Sequence, residues 1–196
     1  MITVLLDNRT EEALPEEEYI SCATYVLQQA SLQRDVELAL SLVSAQEMQD
    51  LNHQYRGIDE PTDVLSFPCD GFDEMPLSAS QNGQSLSAYQ DGQAFSASQD
   101  GIIVLGDVVI APSVAREHAL EFESTFDDEM SLMIIHGILH LLGYDHEDDE
   151  AYELMIKEEN RLHSAWAEYA SDTKHKTRPS DDQLDNHPGQ GEPRKP

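Results

Sequence analysis

The chain is short of basic residues. Lys and Arg total 11 against 39 Asp and Glu, for a net charge of −28. The shortage is not uniform. Residues 171–196 carry Lys174, Lys176, Arg178, Arg194 and Lys195, balanced by as many acids. Residues 1–170 therefore hold all the excess negative charge, and only Arg9, Arg34, Arg56, Arg116, Lys157 and Arg161 oppose it. Broad electrostatic attachment to phosphate is excluded, because such contacts come from Lys and Arg. Any phosphate would have to be held locally, by a metal and one arginine in a cleft. A very acidic surface also suits a salty medium, where long-range repulsion is screened.

Cysteine is nearly absent. Cys22 and Cys69 make no disulfide framework and lack metal-ligand spacing. No apolar run approaches membrane-spanning length, and the opening Met1-Ile2-Thr3-Val4-Leu5-Leu6 reads as a strand rather than a signal peptide. A cytoplasmic protein that neither spans nor binds a membrane is expected. The hydrophobic fraction of 39% is low, which implies that part of the 196-residue chain is not packed. One domain is the natural reading for this length.

What is present is patterned. After the first strand, Pro15 and the acids Glu16, Glu17 and Glu18 suit a helix start, with Ile20, Ala23, Val26, Leu27 and Ala30 at helical spacing. Val36, Leu38, Leu40 and Leu42 alternate with smaller or polar residues, so 35–43 is a half-buried strand. Ser44 and Glu47 form a capping box for a helix with Met48, Leu51 and Tyr55 on one face, ended by Gly57. Residues 63–67 form a short strand that Pro68 stops.

Residues 70–101 repeat Ser-Ala-x-Gln-(Asn/Asp)-Gly with period nine. They read as a flexible loop enlarged by duplication, or as a partner-contact loop. The strand over 102–110 is strongly apolar, and Gly106-Asp107 marks a bulge or close backbone approach. Pro112 opens a helix, and Thr125 with Asp128 caps another that is apolar almost all round over 130–142. Glu147, Asp148, Asp149 and Glu150 crowd the start of a last helix, where they complement its dipole better than they would make a second metal site. Ala151, Met155, Leu162, Trp166 and Tyr169 mark its buried face. From Ser171 a disordered polar tail is expected.

One block carries chemistry: His136-Gly137-Ile138-Leu139-His140-Leu141-Leu142-Gly143-Tyr144-Asp145-His146. His136 and His140 stand one turn apart on a helix. Gly143 can take the left-handed conformation that ends the helix, letting His146 close on the other two. Three imidazoles converging with room for water make an open zinc site of the catalytic type. The spacing matches the metzincin protease pattern His-Glu-x-x-His-x-x-Gly-x-x-His at every metal-binding position, except that Gly137 replaces the glutamate base. Protease geometry without the protease base points to another hydrolysis. The remaining histidines, His53, His118, His163, His175 and His187, lack ligand spacing, although His53 lies near Arg56 in sequence.

This block resembles the signature of the YbeY family, the bacterial metal-dependent endoribonucleases of rRNA maturation. Leu51-Asn52-His53-Gln54-Tyr55-Arg56-Gly57, then Pro61-Thr62-Asp63-Val64-Leu65-Ser66-Phe67-Pro68, and Leu105-Gly106-Asp107-Val108-Val109-Ile110 support it in family order. The resemblance covers most of residues 1–170. Spacing alone makes Arg56 a cation favoured at a helix C-terminus. The resemblance implies that Arg56 is catalytic, a role that a permanently charged, forked guanidinium can fill.

The expectation is an α+β fold with a mixed sheet of about four strands and about five to six helices, the histidine helix central. Residues 1–170 would form one catalytic domain. His136, His140 and His146 would hold one Zn2+, and Arg56 would stabilise phosphorane charge. No glutamate stands at the second motif position, so the general base is unassigned. The substrate implied by resemblance is single-stranded RNA rather than DNA, notably precursor small-subunit rRNA at the 16S 3′ end, with ribosomal small-subunit proteins as partners and a part in ribosome quality control. A metalloprotease-like hydrolase and a non-enzymatic ribosome assembly factor with structural zinc are the alternatives.

Overall fold

The computed structural model describes residues 1–30, 32, 34–69, 102–146 and 148–176. The repeat expected at 70–101 and the tail beyond 176 lie outside the described residues, as does Glu147. The elements in chain order are β1 (Ile2–Asn8), α1 (Glu16–Gln29), β2 (Val36–Leu42), α2 (Ala45–Arg56), β3 (Val64–Pro68), β4 (Ile103–Ile110), α3 (Pro112–Glu121), α4 (Phe126–Leu141) and α5 (Asp149–Lys176). The fold is α+β, with a four-stranded sheet in the order β1-β2-β4-β3. β1, β2 and β4 run parallel, and β3 pairs antiparallel on the edge beside β4. No helix among the described residues is long and apolar enough to cross a membrane.

Period-two alternation decides what each sheet face carries. Val36, Leu38, Leu40 and Leu42 on β2 are all buried in the main core. On β4 the alternation changes phase: Ile103 and Leu105 face that core, and then Val108 and Ile110 do. The register explains it. Glu37 pairs with Val104 but Leu38 with Gly106, so one extra β4 residue is bulged out. Gly106 (φ +133°) also lets β3 approach, since a Cβ there would sit 2.2 Å from the Phe67 carbonyl oxygen. Both readings of Gly106, bulge and close approach, hold.

The two faces are covered differently. α1, α4 and α5 pack on the main core, where Met130, Ile134, Ile135, Ile138, Leu139 and Leu141 of α4 are fully enclosed. Each fully buried Ile or Leu stabilises the fold by roughly 1.5–3 kcal/mol relative to an exposed one. The opposite face carries Leu65 and Val109, covered by Met48 of α2 and Val114 of α3. α4 is the central buried helix expected. Its Thr125 cap accepts the Asp128 N–H at 3.1 Å, as Ser44 accepts the Glu47 N–H at 3.2 Å on α2.

Four details depart from expectation. Pro68 is the last residue of β3 rather than its stop, which an edge strand tolerates. α5 continues through Ser171 to Lys176, because 171–176 contains no Pro or Gly to end it. Tyr169 is 49% exposed rather than buried, with its ring 4.9 Å from that of Tyr25. Tyr55, at helical spacing from the buried Met48, is also exposed, with its ring against Phe67 of β3.

Candidate metal centre

The last turn of α4 sets the geometry. The Gly143 N–H reaches the His140 carbonyl at 2.9 Å and the Tyr144 N–H reaches the Leu139 carbonyl at 3.0 Å. With Gly143 at φ +87°, this is a Schellman stop. It reverses the chain immediately after His140 and returns His146 toward the helix end. The ring centroids of His136 and His140 are 4.7 Å apart, those of His140 and His146 5.1 Å, and those of His136 and His146 6.4 Å. The three histidines selected from spacing are therefore gathered at one place.

Their ring nitrogens are disposed for ligation. His136 Nδ1 lies 2.7 Å from Glu159 Oε2 on α5. With Nδ1–H donating to that carboxylate, Nε2 keeps its lone pair. That Nε2 is 3.1 Å from His140 Nε2. His140, Asp145 and His146 each offer a ligand atom within 4.8 Å of the others. Burial first, then the neighbouring His136 and His146, lower the pKa of His140 below its ordinary value, which favours the neutral form that binds metal. The His146 backbone N–H bonds Asp145 Oδ1 at 2.7 Å and depresses the Asp145 pKa. The imidazole nitrogens of His140 and His146 and the Asp145 carboxylate could hold a metal ion.

Asp145 and Glu159 were not selected from the sequence. Asp145 could have been noticed as the neighbour of His146. Glu159 is joined to His136 only by the packing of α5 on α4.

Arg56 comes from the other side of the sheet. It ends α2, where Gly57 (φ +72°) closes the helix by donating to the His53 carbonyl at 3.1 Å. Arg56 lines the same cleft as His136, His140, Asp145 and His146, a cavity of about 690 Å³. Arg34 is exposed and away from that wall, and three other arginines are paired. Arg9 pairs with Asp7 and Glu47, Arg116 with Glu12, and Arg161 with Glu158. Among the described residues Arg56 is the single Lys or Arg on the cleft wall, and it forms no ion pair. His53 is exposed and not part of that wall. His118 lies 3.5 Å from Asp63, a residue that does line it.

Gly137 has a packing reason. A Cβ there would meet Val108 Cγ1 at 2.6 Å and Ser66 Oγ at 3.2 Å. Ser66 Oγ also donates to the Gly137 carbonyl at 3.0 Å. A side chain at this position would point into the sheet, so the helix has no room for the protease glutamate.

The family model described as Endoribonuclease YbeY matches residues 5–167. An Endoribonuclease YbeY of Caldanaerobacter subterraneus subsp. tengcongensis is 33% identical over 164 residues, 82% of this chain and 95% of the relative. One of Alkaliphilus oremlandii is 39% identical over 131 residues, 67% of this chain and 72% of the relative. The solution structure of a Thermotoga maritima protein is 28% identical, with a TM-score of 0.54, covering 94% of this chain and all of that one. With its fold, its histidine-bearing helix and a match spanning most of its length, the chain belongs to the YbeY endoribonuclease family.

Proposed function

We propose that the chain is a zinc-dependent endoribonuclease that cleaves single-stranded RNA during maturation of the small-subunit rRNA. It acts at the 16S 3′ end and in ribosome quality control, in the cytoplasm and beside small-subunit ribosomal proteins. The observation that carries this reading is one cleft shared by three gathered imidazoles and a guanidinium that forms no ion pair among the described residues. That two of its relatives are themselves endoribonucleases supports it.

In this reading one catalytic unit is built from β1 through α5, and one zinc per chain is held by His136, His140 and His146. A bound zinc supplies Lewis acidity toward a phosphoryl oxygen and acidifies water. Glu159 keeps His136 in the tautomer whose Nε2 faces the site. Arg56 forks onto two non-bridging oxygens of the scissile phosphate and stabilises the charge that builds there.

One observation favours a second reading. Asp145 sits with His140 and His146 and could supply a fourth donor, closing the site as in structural zinc centres. The chain would then be a ribosome assembly factor without catalysis, which suits its net charge of −28. The crowding at Gly137 argues against a protease.

The test is zinc content and cleavage of single-stranded RNA on wild type, His140→Ala and Arg56→Ala. One zinc per wild-type chain, lost in His140→Ala but kept in Arg56→Ala, with cleavage lost in both, is the expected result. Full biological rescue by a cleavage-dead, zinc-loaded Arg56→Ala would overturn catalysis in favour of the second reading.

A further inference from the structure

Helical spacing assigns Tyr55 to the apolar face of α2 with Met48 and Leu51. Burial differs along that face: Met48 is fully buried, while Tyr55 stays 59% exposed. The ring is not loose. It meets Phe67 of β3 edge-on, with centroids 4.8 Å apart and planes inclined at 63°. Phe67 is itself packed against the second core cluster. Tyr55 and Phe67 both line the cleft that holds Arg56 and the histidines.

Unlike the other exposed aromatics, this ring lines the cleft of the candidate centre, where it is placed to meet a ligand, and charge decides which. With −28 on the chain and one Lys or Arg on the described cleft wall, ion pairing with a polyanion supplies little affinity. Stacking of a base on an aromatic ring does not depend on charge and tolerates any sequence. It also requires a base that has left its own stack, which a duplex does not offer.

Resting on the endoribonuclease reading, we propose that Tyr55, braced by Phe67, is a nucleobase-stacking subsite that seats one unpaired base while the adjacent Arg56 holds a phosphate of the same strand. The subsite makes the enzyme select unpaired nucleotides without reading their identity. Ring and guanidinium leave the last turn of α2 and line one cleft. A strand lying in that cleft can place a phosphate at Arg56 and a base at the ring.

The test uses the zinc-loaded full chain and a single-stranded oligoribonucleotide carrying 2-aminopurine, whose fluorescence falls on stacking. Tyr55→Ala should raise KM about tenfold, leave kcat within twofold and abolish the quenching. Tyr55→Phe should retain wild-type values, and Tyr55→Leu should not, since volume without a π-face cannot stack. Wild-type KM and quenching in Tyr55→Ala, with the wild type cleaving, overturn the subsite alone. A fall in kcat at unchanged KM also overturns it, because Tyr55 would then act by positioning Arg56. A wild type that neither binds nor cleaves the oligoribonucleotide overturns the endoribonuclease reading, and the subsite with it.

Discussion

Replacing Gly137 by Ala tests whether α4 is held against the sheet as tightly as the geometry says. The new Cβ would lie 2.6 Å from Val108 Cγ1, 3.1 Å from Val108 Cγ2 and 3.2 Å from Ser66 Oγ. Carbon atoms pack best at roughly 3.5–4.0 Å, so about 1 Å of overlap must be relieved. Val108 cannot give way easily. It is fully enclosed, and a β-branched side chain on a strand has few rotamers. α4 must lift instead, which costs about 1–3 kcal/mol as overpacking. Lifting also stretches the 3.0 Å bond from Ser66 Oγ to the Gly137 carbonyl, a further loss of about 1 kcal/mol. Against this, Ala gains about 1 kcal/mol over Gly in a helix interior. The net expectation is a destabilisation of about 1–3 kcal/mol, read as a lower urea midpoint at unchanged m-value in metal-free protein. Val108→Ala should cost less in the Gly137→Ala background than alone, with a coupling of about 0.5–3 kcal/mol. A Gly137→Ala protein about 1 kcal/mol more stable than wild type, as at a solvent-facing helix position, would refute the packing account. Gly137→Glu should fail to fold rather than gain peptidase activity.

Three further outcomes are expected. Glu159→Gln removes the carboxylate that fixes His136 through Nδ1 at 2.7 Å; zinc affinity by chelator competition should fall about 10–100-fold, and an unchanged affinity would remove Glu159 from the site. His140 has its pKa lowered from 6.5 in the fold, by burial and then by its histidine neighbours, so the unfolded chain takes up the proton first. Metal-free stability should thus be full above pH 6.5 and decline as pH drops through that value, with His140→Gln flattening the decline; a stability that rises on acidification there would contradict the sign. Binding of single-stranded RNA by metal-free protein should depend little on salt. With one cleft cation, the slope of log K against log salt is about −0.7, and a slope steeper than about −3 would show a phosphate-contacting surface that the described residues lack.

What the sequence made readable is what short-range backbone demands dictate. Ser44 and Thr125 had to satisfy free N–H groups at helix starts, and Gly57 and Gly143 had to take positive φ, so both ends of the site-bearing helices could be found by inspection. Gly106 likewise announced a bulge. The histidine triad followed from the same logic, since its spacing straddles one helical turn and one stop. Glu159 was not readable: its bond to His136 spans 23 residues and exists only because α5 crosses α4. The exposure of Tyr55 was not readable either: periodicity put it on one helix face with Met48 and Leu51, and its ring does meet Phe67 of their cluster, but spacing does not say how deeply each residue on a face is covered.

That strand order is what assembles the site. Val108 and Val109 are adjacent in β4 and point to opposite faces, the first into the core beneath α4 and the second into the core beneath α2. The histidines and Arg56 thus descend from helices on opposite sides of the sheet, and they meet only because both helices terminate at the β3 edge. β3 is the wall between the two layers. It contributes Ser66 to the α4 side, as a bond to Gly137, and Phe67 to the α2 side, as a brace for Tyr55. A one-residue slip of β3 would exchange these two contacts, because neighbouring strand residues face opposite ways. Gly106, by letting β3 approach β4, therefore helps set the wall of the cleft that the guanidinium and the imidazoles share, although it does not line that cleft itself.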